Sequence, residues 1–318
     1  YYVGDDGELV RSAWVEDGSD KYFVNSSGAK ITNDWRLTTP YDDESADEEW
    51  YYFKSNGKKL YADNGERTKD KTINGKKYAF DEYGTMVAEW TLDAKEASAN
   101  LASRGNAKYS QLWKYFNSVE DGSRVTKGWF KVVSAEYLNA GKYNDDEDAW
   151  YYADGSGNLY AGEFKTIKGK KYAFRADGRM ISGLQFIQKD ANGNITDIKG
   201  DDDDNYNFDT EDDFIKNAPG FYAEHGYNCY YFGGGADGAM KTNKTNITID
   251  GDSFNFYFEK SGSNKGAGLT GEKDDKYYLA GMLVKAGSDE KYQVVQKKTV
   301  GNKTVYVKLA DAKAFLAA

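Results

Sequence analysis

Cysteine and histidine are almost missing from this 318-residue chain. There is one of each, Cys229 and His225. One cysteine excludes a disulfide framework, and the pair excludes a Cys/His zinc site. No run of about 18 apolar residues exists to span a membrane. Basic surplus is absent too: the net charge is −10 and the pI near 4.9, a poor match for nucleic acid. Aliphatics are also scarce. Leu, Ile, Val and Phe make up 55 residues, or 17%, below the ~20% under which a charged chain is suspected of disorder. The aromatics compensate, with 27 Tyr, 16 Phe and 7 Trp. Rings bury much area and favour strands, so the expected core is aromatic.

The aromatics recur in a register. Lys21-Tyr22-Phe23-Val24 precedes Gly28, Trp50-Tyr51-Tyr52-Phe53 precedes Gly57, and Lys77-Tyr78-Ala79-Phe80 precedes Gly84. Trp150-Tyr151-Tyr152 precedes Gly157, Lys171-Tyr172-Ala173-Phe174 precedes Gly178, and Asn255-Phe256-Tyr257-Phe258 precedes Gly262. Tyr115-Phe116 before Gly122, and Cys229-Tyr230-Tyr231-Phe232 before Gly238, are weaker copies. A Leu or Met often lies two residues beyond the Gly. Alternating aromatics suit a strand, and the Gly supplies a turn with positive φ, so each unit reads as a hairpin. Single hairpins are marginal, and stacked copies bury one another. Period two places Tyr51 and Phe53 on one face and Trp50 and Tyr52 on the other. The Tyr/Phe face repeats and reads as core. The other face varies and reads as the place for a ligand.

These residues resemble the cell-wall-binding repeats of Gram-positive surface proteins, also called choline-binding repeats. The resemblance rests on Lys127-Gly128-Trp129-Phe130-Lys131 with Ala149-Trp150-Tyr151-Tyr152. It rests also on the Lys-bearing segments Ile73–Asp81 and Ile167–Phe174. The Lys-bearing version is similar to repeats of large clostridial toxins and of glucan-binding glucosyltransferases. The resemblance runs from Tyr1 to about Lys276. It implies aromatic cages, carried here by Trp35 with Trp50 and Tyr52, and by Trp129 with Trp150 and Tyr152. A cage holds choline by cation–π attraction of ~0.5–2 kcal/mol per ring, or stacks sugars. Lysine takes the first-ring position at Lys21, Lys77, Lys171 and Lys276, and would repel a quaternary ammonium.

The expected fold is all-β: a solenoid of stacked β-hairpin repeats with irregular insertions and a short helix near 94–103. Its segments are hairpin repeats over 1–90, an insertion with a degenerate repeat over 91–127, and repeats again over 128–183. An acidic insertion over 184–226, repeats over 227–271 and a C-terminal β cap over 272–318 follow. Asp201–Asp204 with Asn205 and Asn207 could ligate Ca²⁺, but the Gly and distal Glu of an EF-hand are missing, so a solvated acidic loop is expected, as at Asp145–Asp148. His225 and Cys229 read as incidental.

The expected function is a non-catalytic module at the cell surface, binding cell-wall choline or carbohydrate through repeated aromatic sites. No cofactor, metal or nucleic acid is expected. A signal peptide is expected to have been removed. The alternative is a structural spacer or adhesin array whose aromatics are purely core.

Overall fold

The computed structural model describes residues 1–92, 105–200, 208–287 and 289–309. The helix expected near 94–103, the acidic run at 201–207 and the end of the tail lie outside them. The chain divides into two compact units, Tyr1–Tyr160 and Ala161–Ala318.

The first unit is a series of five antiparallel hairpins. They are β1 (Ala13–Asp17) with β2 (Asp20–Val24), and β3 (Asp34–Thr38) with β4 (Glu49–Phe53). Then come β5 (Lys69–Ile73) with β6 (Lys76–Phe80), and β7 (Glu89–Leu92) with β8 (Trp113–Phe116). The fifth is β9 (Gly128–Val133) with β10 (Asp148–Ala153). Two single-turn helices, α1 (Ala107–Ser110) and α2 (Ala140–Asn144), fill connections.

The aromatic strand is the second strand of each hairpin. The sequence places the hairpin turn at the Gly that follows it. Instead the two strands are joined before it, by a tight two-residue turn in β1–β2 and β5–β6 and by longer connections in β3–β4 and β9–β10. Asn74 (φ 49°) and Gly75 (φ 82°) join β5 to β6 in the left-handed conformation that a two-residue hairpin loop demands. The Gly after the aromatic strand closes a second turn that ends in one β-bridge, as in Phe53 to Lys59, Phe80 to Met86 and Phe116 to Arg124. An Asn or Asp often opens that turn. Asp81 Oδ1 accepts the backbone N–H groups of Tyr83 and Thr85 at 2.9 and 2.8 Å, and Asp154 does the same for Ser156 and Asn158. Such side-chain mimicry of a backbone turn is what Asx residues supply.

Stacking uses the residue two beyond that Gly. Its N–H reaches back to the first-ring position of an earlier copy: Lys59 N to Lys21 O (2.9 Å), Met86 N to Trp50 O (2.8 Å), Arg124 N to Lys77 O (2.7 Å). Its side chain then covers the Gly of the next copy. A Cβ on Gly28 would come within 2.8 Å of Leu9, and one on Gly122 would overlap Met86. These glycines are thus required for space as well as for φ.

The second unit begins in the same way, with β11 (Glu163–Ile167) and β12 (Lys170–Phe174). Met240 N donates to Lys171 O at 2.8 Å, and Met180 and Met240 cover Gly238 and Gly266. It then departs. β13 (Leu184–Lys189) pairs with both β14 (Ile195–Lys199) and β15 (Asn228–Tyr231). Between β14 and β15 runs α3 (Glu211–Ala223), whose Phe214, Ala218 and Phe221 are buried against Phe186 and Phe256. Sequence reading gave this stretch to an acidic insertion. Its start was nevertheless marked. Thr210 Oγ1 accepts the N–H of Asp213 at 3.1 Å and donates to that carboxylate at 2.8 Å, a reciprocal cap. Glu211, Asp212 and Asp213 sit where the helix dipole favours negative charge. A five-stranded sheet of β16 (Asn243–Ile249), β17 (Asp252–Phe258), β18 (Gly271–Lys273), β19 (Lys276–Leu279) and β20 (Met282–Leu283) follows. The hairpin of β21 (Val294–Val300) and β22 (Lys303–Leu309) comes last, turning at Gly301-Asn302.

The fold is therefore all-β in its framework. No helix among the described residues is long and apolar enough to cross a membrane.

Candidate binding site

The six rings singled out from sequence fall into two triples. Trp35 on β3 lies across from Tyr52 on β4, and Trp50 sits two residues away on the same face. Trp129 on β9 lies across from Tyr152 on β10, with Trp150 again two away. The geometries match closely. Trp35 is 6.3 Å from Trp50 at 89° and 5.2 Å from Tyr52 at 72°. Trp129 is 6.4 Å from Trp150 at 87° and 5.1 Å from Tyr152 at 78°. Both are edge-to-face clusters, the arrangement that ring quadrupoles favour.

The triples differ in exposure. Tyr52 is only 3% exposed, and its hydroxyl donates to Asn33 Oδ1 at 2.8 Å. Trp35 also packs on Tyr78 and Phe80 of the next hairpin, at 5.0 and 5.5 Å. The division into a core face and a ligand face is therefore incomplete in this hairpin, where Tyr51, Tyr52 and Phe53 are all buried. In the second triple all three rings are partly exposed. Tyr152 stacks flat on Tyr160, 5.2 Å apart at 9°. The indole N–H of Trp150 is buried and finds no acceptor.

Two further tryptophans hold the same position but were not assigned to a cage. Trp14 packs on Phe23 of its own hairpin and on Tyr51 of the next, and its indole N–H donates to Thr39 O at 2.9 Å. Trp90 packs on Tyr115 and on Tyr151, donating to Val133 O at 2.8 Å. Both are anchored into the next hairpin by that bond, a role the sequence pattern gives no means to separate from ligand stacking. A cation already covers Trp14: Lys59 Nζ lies 5.6 Å from its ring and 5.6 Å from Tyr51, and donates to Tyr83 O at 2.6 Å. Burial pushes the Lys59 ammonium below its ordinary pKa. No cationic side chain of the described residues stands over Trp35 or Trp50.

Other titratable groups serve the fold. Burial raises the Asp81 carboxyl, which already caps its own turn. Cys229 is buried, and burial pushes its thiol well up, away from thiolate chemistry. Among the described residues no group of three or more His, Cys, Asp or Glu could hold a metal ion.

No protein-family model matches the chain. An alignment 220 positions long, covering 57% of this chain, is 27% identical to the Glucosyltransferase-S of Streptococcus mutans serotype c. The chain is thus similar in sequence, over part of its length, to a Streptococcus glucosyltransferase. Among solved structures, the chain has some similarity to the choline-binding domain of CbpL from Streptococcus pneumoniae. It is 16% identical over 87% of this chain and 99% of that one, with a TM-score of 0.43. The modular autolysin LytC from Streptococcus pneumoniae is 19% identical over 90% of this chain, with a TM-score of 0.37. The repeat array spans about half of the LytC chain (51%) and 14% of the glucosyltransferase.

Proposed function

We propose that the repeat array is a non-catalytic binding module of the cell surface, attaching to a cell-wall polymer through choline or sugar groups. The observation that carries this reading is the near-identical geometry of two separate ring triples, Trp35/Trp50/Tyr52 and Trp129/Trp150/Tyr152. The second triple is the better contact, because all three of its rings reach solvent. Weak sites on one chain add through effective concentration, so a polymer is held better than its monomer. The carboxylates have no part in chemistry here. A location outside the cell follows from the nature of the polymer.

A second reading applies to the first triple. Tyr52 is buried and Trp35 is wedged against the next hairpin, which favours a packing role for those rings. In that case the N-terminal hairpins are a spacer.

Pull-down on choline-bearing cell walls, on choline-free walls and on an insoluble α-glucan tests both. At least one matrix should retain the chain. Trp150→Ala should weaken retention about tenfold, as losing a ring and its contacts of ~1–1.5 kcal/mol requires. Trp35→Ala should lower the melting temperature more than it lowers retention. Failure of every matrix to retain the intact chain would overturn the binding reading.

A further inference from the structure

A cavity of about 560 Å³ lies between the five-stranded sheet and the last hairpin, outside the aromatic cages of the repeats. Tyr277 on β19 and Tyr306 on β22 form one wall, their rings 4.8 Å apart and tilted by 49°. Tyr292, on the segment leading into β21, lines it as well. These rings differ from those of the repeats, which mostly pack the core. Tyr277 is 40% exposed and Tyr292 78% exposed, so neither ring is spent on the fold. Exposed rings gathered at one concavity mark a contact surface rather than packing.

The charge of this place is also unlike that of the chain. The whole sequence carries −10, but the cavity is lined by three lysines, Lys285, Lys291 and Lys297, against one carboxylate, Glu272. None of the three ammonium groups has an ion pair among the described residues. A concavity lined by one sign of charge focuses its field on a counter-charge. One polar group is held in advance. The Gln293 amide N–H₂ donates to Val294 O at 3.0 Å and to Leu309 O at 2.7 Å, which fixes the side chain and leaves its carbonyl oxygen as an acceptor. The volume is within the ~300–1,000 Å³ of small-molecule sites, which combine apolar walls with a few placed polar groups.

The geometry points to a second ligand site here, for an anionic saccharide: a sugar ring stacked on the tyrosines and bearing a carboxylate or phosphate that meets the lysines. The phenol rings offer flat faces to the C–H side of a pyranose, and Gln293 accepts from a hydroxyl. A neutral sugar would use the rings but leave the ammonium groups unanswered. This site is separate from the repeat triples and stands whether or not those bind.

Titration of the full chain by calorimetry with tri-galacturonate, glucose 6-phosphate and neutral maltotriose tests the inference. At least one of the two anionic sugars should bind, about tenfold or more tighter than maltotriose, and weaken as salt rises through the Debye regime. Tyr292→Ala and the Lys291→Glu/Lys297→Glu pair should each cut that affinity about tenfold with no change in melting temperature, because all three side chains are exposed. Trp150→Ala should leave it untouched, which separates this site from the repeats. Failure of both anionic sugars to bind overturns the inference. So does binding of maltotriose with equal affinity, or binding that survives both Tyr292→Ala and the lysine reversals.

Discussion

Replacing Gly122 by alanine tests how the repeats lock together. Gly122 has φ 57°, where an L-residue other than Gly pays about 1–2 kcal/mol. Its surroundings add a second cost. An added Cβ would overlap the Sδ and Cε of Met86 and stand 3.0 Å from Cγ, and Met86 is itself only 8% exposed. Forcing a methyl into a packed contact costs ~1–3 kcal/mol. The expected total is therefore ~2–5 kcal/mol. Gly75 is the control. It also has positive φ (82°), but no atom stands within 4 Å of an added Cβ. Gly75→Ala should cost only the backbone share of ~1–2 kcal/mol. For a unit of this size each kcal/mol moves the melting temperature by ~2–4 °C, so the two variants should differ by roughly 2–12 °C in calorimetry. The double variant Gly122→Ala/Met86→Ala should lose ~1–3 kcal/mol less than the sum of its parts, since truncating Met86 frees the space. Equal melting losses for Gly122→Ala and Gly75→Ala would refute the packing argument, as would strict additivity in the double variant.

Two further outcomes follow from named groups. Burial raises the phenols of Tyr51 and Tyr230 to about 12. Their folded pKa lies above the unfolded 10, so the stability they hold is complete below pH 10 and is lost as pH rises towards 12. Ultraviolet titration should show these phenolates only near pH 12, and Tyr230→Phe should soften the loss of stability between pH 10 and 12. Thr210→Ala should cost α3 about 1 kcal/mol through its missing cap, read as a lower melting temperature, whereas Thr210→Ser should not.

The repeat register was legible because its two physical demands leave marks in single residues. Alternating rings such as Tyr22, Tyr51 and Tyr78 mark the strand, and Gly28, Gly57 and Gly84 mark positions where only a bare Cα fits. The ring triples could be grouped for the same reason, since period two fixes which rings share a face. The pairing was harder. In the β5–β6 unit both turns contain glycine, and only the Asn74-Gly75 turn closes a full ladder, a difference of backbone twist rather than of composition. The helix α3 was hidden by its own acidity, though the Thr210-x-x-Asp213 cap was there to be read. The exposure of Tyr152 against the burial of Tyr52 depends on what neighbouring segments cover, and identical Trp-Tyr-Tyr motifs cannot express it. The cavity beside Tyr292 is lined wholly by residues between Glu272 and Tyr306, where the aromatic-Gly register no longer guides the reading.

One consequence of the inter-repeat bond reaches past stability. The carbonyls that receive it among the described residues belong to Lys21, Trp50, Lys77, Lys171 and Cys229, five positions with three quite different side chains. The lock engages the main chain there, so the residue's chemistry is left open. A charge can replace a ring at that place without unfastening its neighbour. The side chain at that place can thus change one hairpin at a time while the architecture stays put.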